Sequence, residues 1–255
     1  MQPLTSGHAQ PLPHSADLHV HEVVHLPSVT STMDEAHARA SRGAPAGTLI
    51  VADEQTSGRG RGGNVWESEA GVGVWCTLIE RPTDAAAVDV LSIRLGLALA
   101  RSLETFAPGP ICLKWPNDLY VGLGKLAGIL VEARWREGAL DWVAIGVGVN
   151  LVAPRQNRGA ASLNAGTTRS EVLLHMIPAL RIAAQCFGIL TAQEQYDWTQ
   201  RDLATNRAVT APVAGVVRGL ERNGALRVED ASGVVHELRA GSLVFVPNFA
   251  VGTSR

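Results

Sequence analysis

Between Leu119 and Leu151 the chain offers three strand-like runs joined by very short connections. They are Leu119-Tyr120-Val121, Leu126 to Trp135 and Trp142 to Leu151, separated by Gly122-Leu123-Gly124 and by Glu137-Gly138. Parallel neighbours need a crossover of a dozen or more residues, so these runs pair antiparallel as a meander. That meander commits the chain to an antiparallel sheet around which the rest must pack. Upstream, Leu49-Ile50-Val51-Ala52 reads as a buried strand, and Val72, Val74, Cys76 and Leu78 alternate along another. Leu91, Leu95, Leu99 and Leu103 fall at helical spacing, giving one apolar face from about Ala85 to Phe106. Ser31-Thr32-Met33-Asp34-Glu35 opens a short helix, with a hydroxyl cap, acids in the first turn and Gly43 as a stop. Thr168-Arg169-Ser170-Glu171 is a capping box for a helix through Leu173, Ile177, Leu180 and Ala184, kinked at Pro178.

Beyond about Asn206 the pattern changes. Turns at Asn223-Gly224, Ser232-Gly233 and Gly241 crowd between Val-rich strands, as in a small barrel. At the other end, Pro3, Pro11 and Pro13 with few apolar residues read as a mobile tail. The expected division is a tail over 1–20, a catalytic domain over 21–205 and a small domain over 206–255.

Charge excludes several partners. With 22 basic and 24 acidic residues the formal charge is −2, which gives no general attraction to nucleic acid or to anionic lipid. No run approaches the roughly 18 apolar residues of a membrane span, and Met1 to Asp17 does not read as an export signal. Three scattered cysteines, Cys76, Cys112 and Cys186, fit reduced thiols in the cytoplasm. His19, His21 and His25 lack the companions of a metal site, and alternate strand positions account for the first two equally well.

Only two of the 22 basic residues are lysines, Lys114 and Lys125, and both lie in KWPNDLYVGLGK. An ammonium is a compact point charge that a guanidinium fork does not replace, so this placement points to a site. A second signal is Gly58-Arg59-Gly60-Arg61-Gly62-Gly63. It contains G-x-G-x-x-G, yet Asn64 to Ala70 is too short and polar for the helix that a dinucleotide fingerprint requires, and no Gly-Lys-Ser/Thr makes it a P-loop. What remains is a flexible loop carrying two guanidinium groups, suited to a phosphate chain, or else a solvated turn beside a core Trp66. Trp66 can stack on a base or close the loop. In Lys114-Trp115-Pro116-Asn117-Asp118, Pro116 ends a strand. Asn117 and Asp118 beside Lys114 suit a nucleotide with its Mg²⁺, or form a turn that caps itself.

Taken together, Ser31-Thr32, Gln55 to Arg61, Trp66, KWPND at 114–118, KLAGILVE at 125–132 and IGVGVN at 145–150 closely resemble a biotin protein ligase, or biotin–[acetyl-CoA-carboxylase] ligase. The resemblance implies an α+β fold. Its parts are a mixed, largely antiparallel sheet flanked by helices, related to class II aminoacyl-tRNA synthetases, and a C-terminal SH3-like β-barrel. Because few residues precede Ser31, the short form without an N-terminal DNA-binding domain is expected.

The implied reaction joins biotin to ATP as biotinyl-5′-AMP and then passes biotin to a lysine of a biotin carboxyl carrier protein domain. Biotin, ATP and Mg²⁺ are the implied small molecules, with no tightly bound prosthetic group, and family members often pair as homodimers. By resemblance Ser31, Thr32, Met33, Gln55, Gly58, Arg59, Gly60, Arg61, Lys125 and Gly128 serve biotin. Trp66, Lys114, Asn117, Asp118 and Asn150 serve ATP and the adenylate, and Lys125 and Arg61 carry the chemistry. Met33 stands where the family usually has Asn, Gly62 and Asn64 replace arginines of its loop, and Gly241-Ser242 replaces the usual Gly-Glu. A lipoate or octanoate ligase or transferase of the same fold, and a non-catalytic biotin-binding protein, are the competing readings.

Overall fold

The computed structural model describes residues 11–154 and 159–246. Seven strands form the first sheet: β1 Glu22–Val29, β2 Thr48–Gln55, β3 Gly73–Glu80, β4 Ile111–Lys114, β5 Asp118–Val121, β6 Gly124–Arg136 and β7 Ala139–Asn150. They lie in the order β1-β2-β3-β7-β6-β5-β4. The expected meander is β5-β6-β7, and β4 joins it as a hairpin partner of β5. Among the described strands only β1 and β2 pair parallel, and helix α1, Thr32–Ser41, makes the crossover between them. The sheet is therefore mixed and largely antiparallel, as the sequence implies.

Alternation along the strands divides the core. Leu49, Val51, Leu78, Ile145, Val147 and Val149 face α2, Val88–Leu103, and α3, Arg169–Ala184, in one large cluster. Each fully buried aliphatic side chain there contributes roughly 1.5–3 kcal/mol. The opposite face is thinner: Met33, Ala36 and Ala40 of α1 meet Ile50, Ile79, Trp142 and Ala144. Among the described residues, α1 is the helix whose buried side chains make up this smaller cluster.

Ser31 caps α1 by accepting from the Met33 amide, and Thr168 and Glu171 form the expected capping box of α3, which runs on through Pro178. A fourth helix, α4 Ala192–Arg201, escapes the sequence reading because Trp198 is its one buried residue. Buried Arg94 of α2 ties it in, donating to Glu194 at 2.6 Å and to the carbonyls of Gly188 and Ile189.

The tail reading needs correction over residues 11–20. Leu18 is fully buried, Ser170 donates to the Pro11 carbonyl, and Arg181 donates to the His19 carbonyl. One apolar anchor docks a segment that its prolines made look mobile; residues 1–10 lie outside the described residues. The C-terminal strands are β8 Ala208–Ala211, β9 Gly215–Leu220, β10 Leu226–Glu229, β11 Val235–Leu238 and β12 Val244–Phe245. They form a separate antiparallel sheet in the order β11-β10-β9-β8-β12. That ladder is open, with β11 and β12 unpaired on their outer edges among the described residues. Trp115 donates to the Gly224 carbonyl at 3.1 Å and joins the two sheets. Among the described residues no helix is long and apolar enough to cross a membrane.

Candidate active site

A cavity of about 340 Å³ lies on the thin face, beyond the start of α1. Small-molecule sites run from about 300 to 1,000 Å³, so it is of ligand size. Its floor is built from absent side chains. Gly128 of β6 and Gly148 of β7 are cross-strand partners, as are Leu130 and Gly146. A Cβ on Gly148 would stand 2.5 Å from the Trp66 indole, one on Gly128 2.9 Å from it, and one on Gly146 2.8 Å from the Met33 methyl. The glycines of IGVGVN thus clear one face while the intervening Ile and Val residues fill the other.

The head of α1 supplies a polar wall. The amide and hydroxyl of Thr32 both donate to Gln55 Oε1, at 2.8 and 3.0 Å, and the Thr77 hydroxyl donates to Thr32 at 2.9 Å. Gln55 Nε2 donates to Ser68, whose hydroxyl donates on to the Trp66 carbonyl. This chain links the helix N-terminus to the glycine-arginine loop. Ser31 both caps α1 and lines the cavity, so its capping role does not exclude a place in the site.

The loop is a closed hairpin over the opening. The Trp66 amide donates to the Gly58 carbonyl and the Gly60 amide to the Asn64 carbonyl. Gly58 has no room for a Cβ, which would fall 2.3 Å from the Trp66 carbonyl oxygen, and Gly62 has φ +63°, a left-handed conformation suited to glycine. The two arginines diverge. Arg61 turns inward, donating to the Gly241 carbonyl at 3.2 Å and to Asn117 Oδ1 at 3.4 Å, and its burial pulls the guanidinium pKa below the usual value while the Asp118 charge opposes the shift. Arg59 pairs with Asp34 at 2.5 Å and Glu132 at 2.6 Å. The far wall holds Lys125, whose ammonium lies 2.7 Å from Asp118 and 4.9 Å from the centre of the Trp66 ring.

Of the residues expected in the site, Ser31, Thr32, Met33, Gln55, Arg59, Gly60, Arg61, Trp66, Asn117, Asp118, Lys125 and Gly128 line this cavity. Three do not. Gly58 sits in the loop stem. Lys114 is half-buried outside the lining, its ammonium 5.7 Å from the Tyr120 ring and 5.4 Å from that of Phe245; burial, against the pull of Asp118, holds its pKa below the ordinary lysine value. The Asn150 amide donates to the carbonyls of Lys125 and Ala161, so it holds the Lys125 backbone. The lining also includes Thr77, Gly146, Gly148 and Ser242, which sequence reasoning did not assign. The alternate glycines of IGVGVN were the available signal for two of them. Ser242 adjoins the carbonyl that holds Arg61, which brings the Gly241-Ser242 departure to the edge of the site.

A sequence model of the Biotin/lipoate A/B protein ligase family matches residues 25–150. The chain is 40% identical over 124 residues to the bifunctional ligase/repressor BirA of Bacillus spizizenii, a match spanning 48% of this chain and 38% of that relative's length. It is 31% identical over 232 residues to the biotin–[acetyl-CoA-carboxylase] ligase of Mycobacterium tuberculosis, covering 84% of this chain and 85% of the relative. Among solved structures, a biotin protein ligase from Aquifex aeolicus in complex with biotin and ATP superposes with a TM-score of 0.70 at 25% identity, covering 87% of this chain and 97% of the other.

Proposed function

The chain belongs to the biotin/lipoate A/B protein ligase family, and on that premise we propose that it ligates biotin to a lysine of a biotin carboxyl carrier protein domain through biotinyl-5′-AMP. The observation that carries this reading is one cavity in which Lys125, Arg61, Asn117 and Asp118 converge above a glycine floor. Both reactants of the first step are anions. A biotin carboxylate oxygen bonds to the α-phosphorus of ATP as pyrophosphate leaves; the carrier amine then bonds to the acyl carbon as AMP leaves.

The glycine floor and the Thr32-Gln55-Thr77 wall suit a flat, polar-edged ring system, and Lys125 suits the carboxylate and α-phosphate. Its pairing with Asp118 at 2.7 Å holds the ammonium aimed into the cavity before substrate arrives. Positioning alone is worth roughly 7–11 kcal/mol, and donors aimed at developing charge add several more. Arg61 and Asn117 suit the adenylate phosphate, and Trp66 suits a lid that excludes water. Among the described residues Asp118 is the one carboxylate lining the cavity, which fits Mg²⁺ carried mainly by phosphate oxygens and water; such an ion neutralises phosphate charge.

The second sheet is formed wholly by residues 208–245, which supports a domain boundary near 206 and an SH3-like reading of its five short strands. Unpaired thiols support a cytoplasmic setting, and the outer edge of β1, unpaired by any strand among the described residues, supports a homodimer. Biotin-dependent ATP–pyrophosphate exchange tests the function. Exchange is expected with biotin and not with lipoate or octanoate; exchange with a fatty acid alone, or with none of the three, contradicts the reading.

A further inference from the structure

Arg59 lines the cavity, but its guanidinium is paired within a cluster that the reaction steps above leave unused. Its Nη2 donates to Glu132 Oε1 at 2.6 Å, and its Nη1 donates to Asp34 Oδ1 at 2.5 Å. The other oxygen of Glu132 accepts from His37 Nε2 at 2.9 Å and from Arg134 at 3.2 Å. Behind His37, Trp142 Nε1 lies 3.0 Å from His37 Nδ1. An indole N–H only donates, so Nδ1 carries the lone pair and the ring proton sits on Nε2, where it is given to Glu132. Burial, followed by the Arg134 charge, lowers the His37 pKa and keeps this neutral tautomer favoured.

Exposed ion pairs contribute little, because water screens them and both side chains lose freedom. Glu132 differs from such a pair. Its side chain is 17% exposed and that of His37 13%, and Trp142 is buried, so the carboxylate is oriented before Arg59 arrives. Glu132 also lies on the same strand face as Gly128 and Leu130, so a single stretch of β6 carries both the cavity floor and the anchor of its cover. Asp34, the second partner, is 54% exposed and holds less firmly.

We propose that Glu132 is a positioning residue: its carboxylate, oriented by His37 and Trp142, anchors Arg59 and so keeps the 58–66 loop closed over the cavity. The consequence for chemistry rests on the adenylating reading given above. An acyl phosphate hydrolyses when water reaches it, so the anchor sets how long the intermediate survives before the carrier amine takes it.

The test compares the unsubstituted protein with Glu132→Gln, Arg59→Gln and the double variant, with Asp34→Asn alongside. Three quantities are read: trypsin cleavage after Arg61 without ligand, biotin-dependent exchange turnover, and escape of preformed biotinyl-adenylate. Glu132→Gln keeps the shape and removes the charge. It is expected to raise loop cleavage and adenylate escape about tenfold each, with a smaller fall in exchange turnover, and Asp34→Asn is expected to do less on every readout. In the Arg59→Gln background, Glu132→Gln is expected to add nothing, because it acts through Arg59. Additive effects in the double variant, or loop cleavage unchanged in Glu132→Gln, would overturn the proposal. Should Glu132→Gln unfold, the comparison moves to His37→Gln, for which the same increase in cleavage is expected and no increase is contrary. A wild-type protein without exchange activity defeats the functional reading, while loop cleavage still decides whether Glu132 holds the loop.

Discussion

Replacing Lys125 with arginine is expected to lower biotin-dependent ATP–pyrophosphate exchange by about a hundredfold, because displacing a reacting charge by about 1 Å costs that much. Charge is conserved in this variant; position and shape are not. The ammonium sits 2.7 Å from Asp118, under the Trp66 ring, and a Cβ built on Gly128 would already lie 3.4 Å from Nζ. A guanidinium fork is broader, favours a planar two-oxygen contact with Asp118, and leaves less room for the carboxylate and α-phosphate that must meet there. Exchange within tenfold of wild type, in a variant whose circular dichroism and melting match wild type, would contradict the role given to Lys125.

Gly148→Val carries the second large effect. The position is mid-strand in β7, where a β-branched residue suits the backbone, so the sheet is expected to form. The new side chain falls where the Trp66 indole now rests, 2.5 Å from its ring atoms. Overpacking of this kind costs roughly 1–3 kcal/mol; with Trp66 displaced into the cavity to relieve it, that strain falls on binding rather than on the sheet, an affinity loss of about fivefold to more than a hundredfold. Calorimetric titration with biotin is expected to show that loss with little change in the melting temperature. Unchanged biotin affinity would remove Gly148 from the floor, and the flat-floor account with it.

Much of this was legible in the residues, and what was not has identifiable causes. The meander was readable because its connections are too short for any other pairing, and α1 because its cap, acids and stop agree. GRGR and KWPND, each compatible alone with an ordinary turn, became readable only together with the two co-located lysines and the resemblance they complete. Facing was harder to read. The β5-β6 register shifts at Leu119/Tyr120, so Lys125 and Gly128 reach the same cavity although simple alternation sets them on opposite sides. Lys114 sits at the end of β4, and its surroundings depend on Phe245, 131 positions away in the second sheet, which no local pattern announces. Asn150 was expected to serve ATP and the adenylate by resemblance alone; its amide donates to the backbone that carries Lys125, a contact no local pattern shows. The Arg59 anchor joins α1, β6 and β7 across 73 and 105 positions, separations that only the folded sheet brings together.

A crystal structure grown with biotin and a non-hydrolysable ATP analogue tests the central claim most directly. The account predicts the ring system of biotin on the Gly128, Gly146 and Gly148 floor, with its carboxylate and the α-phosphate both within hydrogen-bonding reach of the Lys125 ammonium, under a closed 58–66 loop. Biotin or nucleotide bound elsewhere, or the two held apart with Lys125 still paired only to Asp118, would contradict it.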